Sequence, residues 1–245
     1  MNGPVGPVVL PPSAYELWMR IYTPADVEEW ERLFRSAARR VGKGSLEARR
    51  IAFFRREFLD PLARQSRDFA AASSVSAELE RRRAAKGAKV LFECDFGSLD
   101  GWEPSTNGVV ALDSSTKVMG GSSLRLESAD GSADGPFLRA QATRRLAEGA
   151  ERMQRSTRYR VSFFVKLENV RGVRRDAGVS LCLHDNMDRA FPSTFVTGSA
   201  DWFHVSAEFT SKKNTNAFGP AFVKSRLTNC TGKAWFDGLR IEEIE

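Results

Sequence analysis

The chain is short of the residues on which most catalytic and metal chemistry depends. It has two histidines and three cysteines in 245 residues. Cys94, Cys182 and Cys230 lack CxxC spacing, which argues against a structural zinc site and allows at most one disulfide. Cys94 alternates with Phe92 and Phe96 and reads as a buried thiol. No G-x-S-x-G elbow, phosphate loop or dinucleotide fingerprint occurs, and Gly120-Gly121 is a lone glycine pair in a turn. Long apolar runs are missing too, so no helix is expected to span a membrane. Met1 to Pro12 has no basic n-region and reads as a Pro/Gly lead-in rather than a signal peptide.

The net charge of +6 is unevenly held. Residues 1–90 carry 17 Lys/Arg against 11 Asp/Glu, whereas residues 91–245 carry 20 against 20. A nucleic-acid binder concentrates its excess on the reading domain. Here the β-rich part is neutral, so no nucleic-acid partner is expected.

Residues 13–86 read as helical. Ser13-Ala-Tyr-Glu16 is a capping-box pattern, and Thr23-Pro24 places Thr at an N-cap with Pro at N1. Val27, Trp30, Leu33, Phe34, Ala37, Ala38 and Val41 then recur at helical spacing up to Gly42-Lys-Gly44. Ser45 opens a second stripe of Ile51, Phe54, Phe58, Leu59 and Leu62, interrupted at Pro61, with Phe69 to Leu79 as an extension. So few amphipathic helices must pack on something else, and the chain is read as part of a longer protein. Arg81 to Lys89 is a charged joint.

From residue 87 to 245 the period changes to two. Strands are expected at 90–96, 122–127, 137–142, 159–167, 179–184, 203–210, 221–227 and 234–241, with the Arg-rich stretch 144–158 as a loop or short helix. About eight strands between Gly/Ser/Asn/Asp turns predict an all-β jelly-roll sandwich behind the N-terminal helical segment.

Alternation sorts each strand into two faces. Tyr159, Val161, Phe163 and Val165 go inward, as do Val179, Leu181 and Leu183, then Phe203, Val205, Ala207 and Phe209. Phe164, His184, Trp202, His204, Glu208, Phe222 and Lys224 fall on the outward parity, where solvent-facing strands carry smaller or charged residues. Planar rings stack on the C–H faces of pyranoses, while His, Glu and Lys bond the hydroxyls, so these seven are the candidate carbohydrate-binding residues. The alternative is that this face packs against the helices. Lys166, Lys224 and Arg226 would suit an acidic glycan. The loop His184–Arg189 is either a sugar grip or a solvated turn. Glu208 is the one carboxylate on the proposed face, so the pair needed for glycoside hydrolysis is missing from it.

Leu91-Phe-Glu-Cys-Asp-Phe96 with Asp100-Gly-Trp102, Met119-Gly-Gly-Ser-Ser-Leu-Arg-Leu126, Tyr159-Arg-Val-Ser-Phe-Phe-Val-Lys166, Trp202 to Thr210, and Trp235-Phe-Asp-Gly-Leu239 follow in order. This succession resembles jelly-roll carbohydrate-binding modules of the family 4, 16 and 22 kind. The helical part looks like the C-terminal end of a large bacterial polysaccharide-degrading enzyme. The resemblance implies a non-catalytic module that binds a polysaccharide or oligosaccharide. It would bring the glycan to the catalytic domain of an exported, extracellular or periplasmic parent.

It also implies a structural Ca2+ held by Asp237, by Glu93 or Asp95, and by backbone carbonyls near Gly120 to Ser122. The competing reading of Asp237 is a carboxylate bonded to turn amides at the sheet edge. A structural or docking unit that binds no sugar is the alternative function, and a small lyase or hydrolase the third.

Overall fold

The computed structural model describes residues 22–85, 87, 89–105, 108–128, 139–146, 151–172, 177–184, 188–215 and 221–244, with the backbone alone at Arg139 and 188–195. The expected Ser13 cap lies outside them. Helix α1 (Pro24–Arg40) begins as expected: Thr23 accepts from the Asp26 amide, Asp26 accepts in return from the Thr23 amide, and Pro24 sits in the first turn. Helix α2 (Leu46–Phe54) is capped by Ser45. It runs into a π-helical turn, Arg55–Leu59, and then α3 (Asp60–Ala72). Pro61 is the cause, because it has no N–H to give the carbonyl four residues back. The Asp60 amide reaches Arg55 instead, and the helix widens rather than ending. Ser74 caps a separate helix, α4 (Val75–Ala84), so Arg81 and Arg82 are helical and not part of a solvated joint.

Eleven strands form two antiparallel sheets among the described residues: β1 (Val90–Cys94), β2 (Trp102–Pro104), β3 (Val109–Asp113), β4 (Ser123–Ser128), β5 (Arg139–Arg145), β6 (Arg158–Gly172), β7 (Gly178–His184), β8 (Asp188–Val196), β9 (Gly198–Thr210), β10 (Phe222–Thr228) and β11 (Cys230–Glu243). One sheet has the order β3-β4-β11-β6-β9 with β1 also on β11; the other is β2-β5-β10-β7-β8. The expected sandwich behind a helical segment is what the chain forms. The Arg-rich stretch from Arg144, expected to be a loop or short helix, instead starts as the end of β5.

Between the sheets lie the inward sets of the strands. Tyr159, Val161, Phe163, Leu181, Val205, Val223 and Phe236 are all buried, and Phe163 stacks on Phe236 with ring centres 5.9 Å apart. The Tyr159 hydroxyl is rescued from burial by accepting the Gln154 amide at 2.7 Å. All three cysteines are free, and burial pushes the Cys230 thiol up to about 12.

The helices make a second, smaller core from Val27, Leu62 and Ala63, edged by Tyr22, Trp30 and Phe69. They are fixed to the six-stranded sheet by α4. Glu78, 3% exposed, ion-pairs with Arg81 at 2.8 Å and Arg82 at 2.9 Å on its own helix, and with Arg160 of β6 at 2.8 Å. Arg81 continues to Glu242 of β11 at 2.6 Å, and Arg82 donates to Ser162 at 3.0 Å. At the α3–α4 joint the His204 amide donates to Ser73, and His204 Nδ1 donates to the Ala72 carbonyl at 3.0 Å.

Burial alone would raise the Glu78 pKa. Hydrogen bonds from Arg81 and Arg82, with the charges of His204 and Arg160, overcome it and hold the carboxyl at about 2 instead of 4.5. A depressed carboxyl stabilises the fold fully above its unfolded pKa and loses that contribution as pH falls through the folded value. The melting temperature is therefore expected to drop between about pH 4.5 and pH 2, and Glu78→Gln is expected to flatten that window. Glu78→Ala, which strands buried Arg82 and Arg160, should cost about 3 kcal/mol in urea unfolding at pH 7.

Candidate functional site

The register divides the seven candidate residues between two surfaces. Phe164, Trp202, His204 and Glu208 lie on the outer face of the six-stranded sheet, where Phe164 pairs with His204 and Arg160 with Glu208. His184, Phe222 and Lys224 lie on the outer face of the five-stranded sheet, where Phe222 pairs with His184 and Lys224 with Cys182. They do not form one site.

The first group is mostly covered. Phe164 is 0% exposed and His204 3%. Arg82 lies 5.0 Å above the Phe164 ring, and His204 packs beside it at 5.8 Å. Gly238, with φ +53, presses its bare Cα against Phe164: a Cβ there would come within 2.8 Å of the ring and of the Met119 sulfur. The alternative reading of this face, packing against the helices, thus describes these two residues, and neither can meet a sugar. Trp202 is half-buried at the same face, and Glu208 is exposed and ion-paired with Arg158 at 2.9 Å.

The five-stranded sheet presents a different surface. Val223, Leu183 and Leu181 turn to the core, so Phe222, Lys224 and Arg226 of β10 turn outward with His184, Cys182 and Ser180 of β7 and Arg145, Thr143 and Gln141 of β5. His184 and Phe222 stack face to face, 4.5 Å apart at 14°, and both are half-exposed. The Lys224 ammonium sits 4.6 Å over the Phe222 ring. Gln141 donates to Thr143 at 3.2 Å, extending a polar row along β5. Ser180 and Cys182 are fully buried although they belong to this face, so its middle is floored by small side chains under longer ones. Sequence alternation found Phe222, His184 and Lys224. It passed over Gln141 and Thr143, which come to the face only through the β5–β10 register.

The carboxylates expected to hold calcium are arranged differently. Asp237, fully buried, accepts from the Val118 amide at 2.6 Å, the Met119 amide at 2.7 Å and the Gly238 amide at 2.7 Å. Glu93 is turned to Arg240 at 3.3 Å. Asp95 accepts from the Gly97 amide and lies against Gly120, where a Cβ would fall 2.5 Å from its Oδ2. Burial, aided by the charge of Asp95, raises the Asp237 pKa, while its three amides pull the other way. No three acidic, His or Cys side chains gather as a metal group among the described residues. The residues as placed do not fit a calcium shell: N–H donors point at Asp237 where a cation would need its oxygens, and Glu93 already has a cation. The amides tie the 118–119 turn to β11 at the gap between β4 and β1, which is the competing reading of Asp237.

A cleft of about 370 Å³ opens at this end of the sandwich, lined by Asp95, Asp100, Trp102, Arg144 and Glu151 among others. Arg144 and Glu151 lie 3.8 Å apart in its lining.

No protein-family model matches the chain, and no curated protein matches it. Solved structures do. The chain is similar to the CBM22-1 xylan-binding domain from Paenibacillus barcinonensis Xyn10C, at 13% identity over 66% of this chain and 98% of that one, with a TM-score of 0.43. It is similar also to the C-terminal family 22 carbohydrate binding module of Clostridium thermocellum Xyn10B (15% identity, 64% and 96% covered, TM-score 0.44) and to a family 16 carbohydrate binding module (16%, 60% and 92%, 0.38). These fall in the range of families that the sequence resembles. At such identities they are likenesses of fold and supply no site residue.

Asp237→Ala removes the acceptor of three amides and should lower stability by about 2–3 kcal/mol in urea unfolding. A chelator should leave the melting temperature of the unaltered protein where it is; a fall on chelation would restore calcium to the site.

Proposed function

We propose that the chain is a non-catalytic carbohydrate-binding module whose glycan lies across the outer face of the five-stranded sheet. One observation carries the reading: on one outer face α4 covers Phe164 and His204, whereas the other keeps a partly exposed His184–Phe222 stack beside polar side chains. A pyranose ring needs that combination. Its C–H face packs on the aromatic pair, and its hydroxyls bond Gln141, Thr143 and Lys224. The solved structures with a similar sandwich include xylan-binding domains, which supports the ligand class without identifying the glycan.

Binding without catalysis suits the acidic groups. Glu103, on the edge strand beside Arg145, is the carboxylate this face offers among the described residues, and it stands 3.7 Å from the Arg145 guanidinium. Glycoside hydrolysis takes two carboxyl groups about 5–10 Å apart across the bond. The role proposed is targeting. Held on the same chain as a catalytic domain of an exported parent, the module would raise the effective concentration of glycan there.

Affinity electrophoresis in gels containing xylan, β-glucan or pectin tests this. Retardation is expected in at least one, lost in Phe222→Ala and His184→Ala and kept in Trp202→Ala, since Trp202 stands on the sheet that the helices cover. Retardation lost only in Trp202→Ala would move the site to the other face. Release of reducing ends by the purified chain would sink the non-catalytic reading.

A further inference from the structure

The apolar stripes of α1 and α2, expected to be buried, converge on an open groove. Leu33, Phe34 and Ala37 of α1 face Arg50, Ile51 and Phe54 of α2 across a space of about 340 Å³. Leu33, Leu46, Phe53, Phe54 and Phe58 are 47–55% exposed, the longest run of uncovered large apolar side chains among the described residues. Single exposed leucines are ordinary, but Leu33 and Phe54 line one groove together, and apolar side chains grouped in this way mark a contact surface.

Charge says what would cover it. Residues 33–56 carry eight Lys/Arg against one acidic residue, Glu47. Arg55 pairs with Asp60 and Arg56 with Glu57. Arg35, Arg39, Arg40, Lys43, Arg49 and Arg50 make no ion pair with any described residue. The groove is thus an apolar trough with Arg50 at its wall, borne by a helix pair whose other cations from Arg35 to Arg49, its arginine rim in the sequence, are not ion-paired among the described residues. A second copy of the chain would set two such rims against each other, at a repulsive cost. A bilayer is met by a convex apolar helix face lying flat in the interface. A trough between two helices instead receives the ridge of a third.

We infer that the α1–α2 groove docks an acidic amphipathic helix, belonging to another domain or protein, whose apolar ridge enters between Leu33 and Phe54 and whose carboxylates meet the arginine rim. This surface is separate from the glycan face and does not depend on it.

The full chain can be titrated into a fluorescein-labelled peptide of about 18 residues, with Leu at helical spacing and Glu elsewhere, read by anisotropy. Binding is expected, weaker at high salt and absent when Lys replaces Glu in the peptide. Phe54→Ser and the pair Arg39→Glu with Arg40→Glu should each weaken it at least about tenfold, with melting temperatures unchanged because these side chains are exposed. No binding of the Glu peptide, or equal binding by both variants, would overturn the proposal. Co-sedimentation with phosphatidylserine vesicles that is lost in Phe54→Ser, without peptide binding, would assign the surface to lipid and overturn it as well.

Discussion

The carboxylate of Glu78 is taken out of water on the outer face of a sheet, and the cations of two elements, with an imidazole from a third, have to follow it. Arg81 and Arg82 come from its own helix, Arg160 from β6, and His204 approaches from β9 with Nε2 at 3.6 Å. A buried ion pair contributes little net stability, because desolvation consumes most of the attraction. Breaking one side is costly, however, and that asymmetry specifies geometry. Helix α4 can sit on this sheet in the one register that brings Glu78 between Arg160 and His204, with Arg81 over Glu242 and Arg82 over Phe164. A greasy interface of equal area would have admitted several registers.

The two faces of the sandwich follow from that one contact. Phe164 and His204 are too large and too poorly hydrated to stand on an open strand, and they stay ordered because α4 covers them. With Phe164 and His204 covered on one outer face, the aromatics of the other stand partly exposed. His184 and Phe222 stack on each other rather than on a helix, and Lys224 caps their ring with an ammonium instead of an aliphatic lid. These three partly exposed groups in mutual contact are the aromatic part of the proposed binding surface.

Parity along each strand was legible in the sequence. The inward sets from Tyr159, Val179 and Phe203 are the core, since period two follows from backbone geometry alone. Sheet membership was not. Alternation places His184 and His204 both outward, yet β7 and β9 belong to different sheets, and the choice is made by long-range pairing that leaves no local mark. The short strands β2 and β3 escaped notice for the related reason that three to five residues carry too little pattern. Arg81 to Lys89 misled in the other direction. A run of cations looks solvated until a buried glutamate and an opposing sheet are known. Asp237 was recognised as a carboxylate in need of partners. That these are the Val118, Met119 and Gly238 amides depends on a turn more than a hundred residues away.

The basic excess of the first ninety residues therefore has two destinations. Arg81 and Arg82 are spent inside the fold on Glu78 and Glu242, and their charges are matched there. The cations between Arg35 and Arg50 are ion-paired with no described residue, and Arg50 among them walls the apolar groove between α1 and α2. Had the helices served only as a strut for the sandwich, the stripe of α1 and α2 would be closed by α3, as Val27 is by Leu62 and Ala63. Instead the helices turn Val27 and Trp30 to their own core and leave Leu33, Phe53, Phe54 and Phe58 to solvent. That is the reverse of what packing alone selects, and it is consistent with a helical segment built to be completed by another helix.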